Sequence, residues 1–195
     1  PDNMKIVVTG NQALTINRQN AISTGTTIDA TAFTGNLTAS GTTLVDSLTG
    51  GSGNDVLTGL QGADILTGGG GNDTFRYING GGFLGAGDSH AGILSGAVSF
   101  DTVADFTASA DKLQSAGFLA ANLVAQGTVQ AAVNASGATT LAEAIGVAST
   151  AIGANKYGAF QIAGSTYVLG NDGVVGTVNA NDLLVQLTGT HTLTA

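Results

Sequence analysis

Four aspartates stand nine residues apart, at Asp46, Asp55, Asp64 and Asp73, and the residues between them repeat with the same period. Three consecutive nonamers, starting at Gly50, Gly59 and Gly68, each carry Gly at positions 1 and 4, Asp at position 6 and a large apolar residue at position 8. A worn copy starting at Gly41 keeps only Asp46 and Leu48 in phase after its first glycine. The apolar residue runs Leu48, Leu57, Leu66, Phe75 without slippage. A flexible Gly/Asp linker has no reason to hold Leu and Phe at a fixed phase, so the period belongs to folded structure.

The physics of the unit is readable. Gly lets the backbone turn through φ > 0 without a Cβ penalty, and a Gly-rich turn aims carbonyl oxygens inward. The apolar position then sits on a very short strand facing an interior. Two nonamers make one coil with a turn on each side, and coils stack at the strand spacing of about 4.8 Å. Asp46 therefore stacks with Asp64, and Asp55 with Asp73. Carboxylates so close repel unless a positive charge lies between them. Eight Asp and a single base, Arg76, lie from Asp46 to Asp111, so this stretch carries most of the net charge of −8. That balance argues against a nucleic-acid partner and for a hard cation. Calcium, with six to eight oxygen ligands at about 2.3–2.6 Å, suits mixed carboxylates and carbonyls better than magnesium does.

These nonamers resemble the RTX (hemolysin-type) repeat G-G-x-G-x-D-x-U-x. The middle copy departs from it, with Leu60 at the second glycine. The resemblance implies an all-β-dominated fold, a right-handed parallel β-roll or β-solenoid, and several bound Ca2+ ions. The implied ligands are the carboxylates of Asp46, Asp55, Asp64 and Asp73 and the turn residues Gly51, Gly53, Gly62, Gly69 and Gly71. Residues 99–113 resemble the D-x-h-x-D-F…D-K-h segment (h apolar) that closes such rolls. Asp101 and Asp105 are then candidates for the last calcium, although the same residues also fit a turn and strand with solvated carboxylates.

Upstream, residues 4–45 read as short Thr/Val/Ile-rich strands around 5–8, 13–16, 26–28 and 35–38, with no helical period. They form β-solenoid rungs over residues 1–45 that run into the calcium-binding roll of residues 46–76. Residues 77–195 read as a cap containing one or two helices and short antiparallel strands. Thr140-Leu141-Ala142-Glu143 is a capping box. Leu141, Ile145, Ala148 and Ile152 share one face, predicting a helix over 141–152. Strands follow at 158–162, 165–169 and 182–187, with turns at Gly164 and at Asn171-Asp172-Gly173. This order resembles the C-terminal region of type I-secreted RTX proteins.

Catalytic patterns fail. Only His90 and His191 are present, so no H-E-x-x-H zinc motif exists, and G-x-S-x-G is absent too. Ser89 lies between Asp88 and His90, but neighbours in sequence do not converge as a triad; Asp88 reads better as part of a loop able to meet calcium. His191 reads as part of a flexible tail, and the Asn-x-Ser/Thr triplets at Asn36, Asn72 and Asn134 as chance. With no Cys there is no disulfide framework or thiolate site. The chain begins at Pro1 without a basic-then-apolar leader, which reads as a piece of a longer polypeptide. No apolar run reaches the 18 residues of a membrane span.

The reading that follows is a non-enzymatic, calcium-folded C-terminal module of a type I-secreted bacterial surface protein, a surface-layer subunit or an adhesin. The implied partners are the type I secretion apparatus and, at the surface, further copies of the chain in calcium or a cell-surface glycan. The alternative is the RTX portion of a secreted protease or lipase whose catalytic domain lies outside this chain.

Overall fold

The computed structural model describes residues 4–18, 24–77, 100–115, 122–171 and 182–193. Ten short strands come first. They are β1 (Met4–Gly10), β2 (Leu14–Asn17), β3 (Thr26–Phe33), β4 (Leu37–Ser40), β5 (Ser47–Thr49), β6 (Val56–Thr58), β7 (Ile65–Thr67), β8 (Thr74–Tyr77), β9 (Asp101–Val103) and β10 (Lys112–Ser115). Odd-numbered strands enter one sheet and even-numbered strands the other, and the pairing among these ten is parallel throughout. The chain thus crosses from sheet to sheet at each turn and climbs one strand spacing per two crossings, a parallel two-sheet β-roll.

The nine-residue period sets the register. Leu48 pairs with Leu66 and Leu57 with Phe75, each 18 residues on, so two nonamers make one coil. Extending those pairings gives two columns between the sheets. One runs Ile6, Ile28, Leu48, Leu66, Val103; the other runs Ile16, Ala39, Leu57, Phe75, Leu113. Leu48, Leu57, Leu66 and Phe75 are fully buried, each stabilising the roll by about 1.5–3 kcal/mol relative to an exposed side chain. The upstream rungs continue the columns in phase although their sequence has lost the Gly/Asp pattern.

The rest of the chain forms α1 (Gln126–Ser136), α2 (Leu141–Ile152), β11 (Lys156–Ile162), β12 (Ser165–Asn171) and β13 (Leu183–Leu187). β13 lies parallel beside β9, with Leu187 opposite Val103, and β12 and β11 follow antiparallel. The odd-numbered sheet therefore grows to eight strands, and the cap is built as its continuation. Val129 and Val133 of α1 and Ala144, Ile145, Ala148 and Ile152 of α2 form a second core with Phe160, Tyr167, Leu169 and Leu184. Phe160 and Tyr167 stack at 5.6 Å.

Helix α2 has the predicted limits, and the capping box is present: the Thr140 hydroxyl accepts from Glu143 N, and Glu143 Oε2 accepts from Thr140 N and Thr139 N. Those donors hold the Glu143 carboxyl below its ordinary range. The predicted strands at 158–162 and 165–169 each extend by two residues, to 156–162 and 165–171.

The tail departs from expectation. His191 is latched rather than part of a loose end: its amide donates to Thr166 Oγ1, its carbonyl accepts from Gln126 and Gln161, and its ring stands edge-on to Phe106 at 5.6 Å. Among the described residues no helix is long and apolar enough to cross a membrane. Asp88, Ser89, His90, Asp172 and Gly173 lie outside the described residues.

Candidate metal centre

The turns of the roll fall on two edges. One edge carries the turns 41–46 and 59–64, leading from the even-numbered to the odd-numbered sheet. The other carries 34–36, 50–55, 68–73 and 104–111. Each nonamer ends its turn with the position-6 aspartate, and these side chains point back into the stack. Asp46, Asp55, Asp64, Asp73 and Asp101 are buried.

Their hydrogen bonds form a ladder. On the first edge Thr26 N donates to Asp46 Oδ1 (2.5 Å), Asp46 N to Asp64 Oδ1 (2.8 Å) and Asp64 N to Asp101 Oδ1 (2.9 Å). On the second edge Leu37 N donates to Asp55 Oδ1 (2.7 Å), Asp55 N to Asp73 Oδ1 (2.8 Å) and Asp73 N to Asp111 Oδ1 (2.9 Å). Each carboxylate thus holds the backbone one coil below. Asp105 closes the second edge by accepting from Gly68 N and Gly69 N at 2.9 and 2.8 Å. The expected residues are therefore gathered into two columns, Asp46–Asp64–Asp101 and Asp55–Asp73, with Asp105 beside the latter.

Asp111 was absent from the sequence-derived site, yet it occupies the next rung of the second column. Its signal was available: Asp111-Lys112-Leu113 repeats the Asp-then-apolar spacing of Asp73-Thr74-Phe75. A second missed feature is an asparagine ladder on the same edge. Asn54 N donates to Asn36 Oδ1 (3.0 Å) and Asn72 N to Asn54 Oδ1 (2.8 Å). Asn36 and Asn72 are thus structural parts of the turn stack.

The glycines explain why the turns must be so bare. A Cβ on Gly50, Gly59 or Gly68 would collide with the carboxylate of Asp55, Asp64 or Asp73, respectively. A Cβ on Gly51 would collide with the Phe33 carbonyl, and one on Gly69 with the Gly51 carbonyl. Likewise one on Gly53 would meet the Gly35 carbonyl, and one on Gly71 the Gly53 carbonyl. Gly62 stands in the same relation to the Leu44 carbonyl, and the space of its missing Cβ also faces Asp64 Oδ1, 2.8 Å away. The turns 50–55, 59–64 and 68–73 therefore pack carbonyl and carboxylate oxygens of adjacent coils into space that a side chain would fill. Leu60, at a glycine position, adopts φ 75° and is buried.

The electrostatics of such a cluster are unfavourable for bare carboxylates. Burial pushes Asp46 and Asp55 up from the ordinary range against the pull of their backbone donors. Asp73 is pushed up to about 6, by burial first and then by the neighbouring charges of Asp111, Asp55 and Asp105. A cation bound among these oxygens reverses both effects. Among the described residues no three His, Cys, Asp or Glu side chains are placed to hold a metal by themselves, so a cation here must draw on main-chain carbonyls, which calcium accepts.

Comparison with known families agrees with that chemistry. Residues 40–75 match the family model of the RTX calcium-binding nonapeptide repeat, in four copies. The chain carries an RTX repeat region. RTX repeats bind several Ca2+ ions per repeat region and are structural calcium-binding repeats, not a catalytic family. The oxygen-lined turns, their obligatory glycines and the buried carboxylates fit that ion. No curated protein matches the chain in the corresponding search.

Proposed function

We propose that the chain is the calcium-folded module of a type I-secreted bacterial surface protein, a surface-layer subunit or adhesin, serving export, folding outside the cell and assembly there. The observation that carries this reading is the pair of buried carboxylate columns whose charges go unbalanced without a cation. The Asp55, Asp64, Asp73, Asp101 and Asp105 carboxylates, joined by Asp111, and the turn carbonyls at Gly51, Gly53, Gly62, Gly69 and Gly71 would hold the ions; Asp46, expected with them, already meets two backbone donors and the Thr42 hydroxyl. Calcium, when bound, supplies the positive charge that lets these carboxylates stay ionised while stacked. The columns cannot preform in an unfolded chain, so binding free energy is folding free energy.

In this division residues 1–45 supply the rungs, 46–76 the calcium-binding roll and 77–195 the cap and export signal, with the roll wound right-handed as crossover connections between parallel strands are. In calcium-poor cytosol the roll stays loose and exportable; in millimolar external calcium it closes. Circular dichroism and thermal melts with calcium and with chelator test this directly, and the expected result is more β-structure and a higher melting temperature in calcium. Identical spectra and melts in both would sink the reading. Light scattering over the same titration tests assembly: growth of oligomers supports a surface lattice, and a chain monomeric throughout removes the lattice role.

A further inference from the structure

The two edges of the roll are not equivalent. On the second edge the turns read Gly-Gly-Ser-Gly-Asn-Asp (50–55) and Gly-Gly-Gly-Gly-Asn-Asp (68–73). On the first edge the turn before Asp46 reads Gly-Thr-Thr-Leu-Val-Asp (41–46), with Thr42 and Leu44 where the other edge has glycines and Val45 where it has the asparagine ladder. At Gly51 and Gly69 the missing Cβ leaves room for a carbonyl from the coil below. Thr42 fills its own position with a buried side chain.

That side chain is aimed at Asp46. Thr42 Oγ1 lies 3.1 Å from Asp46 Oδ1 and 3.0 Å from Oδ2, bridging the carboxylate, while Thr42 N donates to Oδ2 at 2.6 Å and Thr26 N to Oδ1 at 2.5 Å. Each oxygen of Asp46 thus meets a backbone donor, and the two share the single Thr42 hydroxyl proton. Asp55 differs: Leu37 N reaches one oxygen and Gly51 N the other, each at 2.7 Å, and each oxygen keeps a lone pair for a further partner.

We propose that the Thr42–Asp46 turn is a metal-free rung, in which the Thr42 hydroxyl takes the place that calcium takes between the turns carrying Asp55, Asp73 and Asp111. Calcium then loads mainly along one edge, and the coils up to Asp46 close with protein donors alone. The inference rests on the calcium reading above and names the position where it does not apply.

The experiment is a calcium titration of the full chain by calorimetry after chelator treatment, with ions per chain as the readout. Asp46→Asn is expected to keep the wild-type number of ions, and Asp73→Asn to lose at least one. The double variant Thr42→Gly/Leu44→Gly, which restores the glycines, is expected to gain one ion per chain. It also serves as the deciding measurement if Asp46→Asn does not fold. Loss of an ion by Asp46→Asn equal to that of Asp73→Asn, or no gain in the glycine-restored variant, would overturn the proposal. A wild-type chain that binds no calcium at all would instead overturn the calcium reading itself.

Discussion

A glycine in this chain is either required by its neighbours or merely present, and the two kinds respond oppositely to a methyl group. Gly68 belongs to the first kind. A Cβ there would run into the Asp73 carboxylate, which Asp55 N already holds in place and which cannot swing aside without leaving the column. Gly68→Ala should therefore destabilise the calcium-bound roll by about 1–3 kcal/mol, the range of an overpacked site. Gly146, in the middle of α2, has open space where its Cβ would be. Gly146→Ala should add about 0.5–1 kcal/mol through helix propensity alone. Urea denaturation in saturating calcium reads both, and equal effects of the two substitutions would deny the turn glycines their packing role. Leu60 shows where residue identity and position disagree: a left-handed φ costs a non-glycine residue about 1–2 kcal/mol, and burial of the leucine side chain offsets it. Its departure from the repeat was visible in the sequence, but the compensation was not, because it depends on what the side chain packs against.

Elements differed in how far they could be read beforehand, for local reasons. Helix α2 announced both ends, with Thr140 and Glu143 at its start and a regular apolar face through Ile152, since a capping box and a 3.6-residue period are both local signals. Thr140→Ala removes the hydroxyl that accepts from Glu143 N and should cost about 1 kcal/mol, measured as a drop in the midpoint of urea unfolding. Helix α1 gave no such notice. Its N-cap is Ala125 with no side-chain hydrogen bond, Gly127 and Thr128 are poor helix formers, and only Val129 and Val133 turn inward. It is helical because β11 and α2 offer those two valines a core, a tertiary cause that no local window contains. The β11–β12 hairpin is intermediate. Gly164 marked the turn, but Ala163 also adopts positive φ, at 51°, as a two-residue hairpin loop of this kind demands. Ala163→Asn should therefore raise stability by about 0.5–1 kcal/mol, again by urea midpoint.

At the scale of the whole molecule, the period of nine is enough to set the coil, the pairing at 18 residues and the partners Asp46–Asp64 and Asp55–Asp73. It does not reveal that β13 joins β9, because that pairing spans a break in the period, and Asp111 is marked only by the local Asp-x-apolar spacing it shares with Asp73. The stacked carboxylates also make stability depend on pH in opposite directions with and without calcium. Asp73 is pushed up to about 6 from the ordinary 3.8 in the calcium-free fold. Below about pH 3 it is largely protonated in both folded and unfolded chains and carries little penalty. Above about pH 6 it is charged in both, and the fold alone bears the desolvation and repulsion. The calcium-free roll should therefore gain stability as pH falls from about 7 toward 4, as far as this column governs it. Calcium requires the same carboxylates deprotonated, so its contribution shrinks over the same interval. The melting temperatures in calcium and in calcium-free buffer should converge as pH drops from about 7.5 to 5, with free calcium fixed by dialysis. A gap that holds constant or widens toward low pH would mean that the Asp55–Asp73–Asp111 column does not hold the ion.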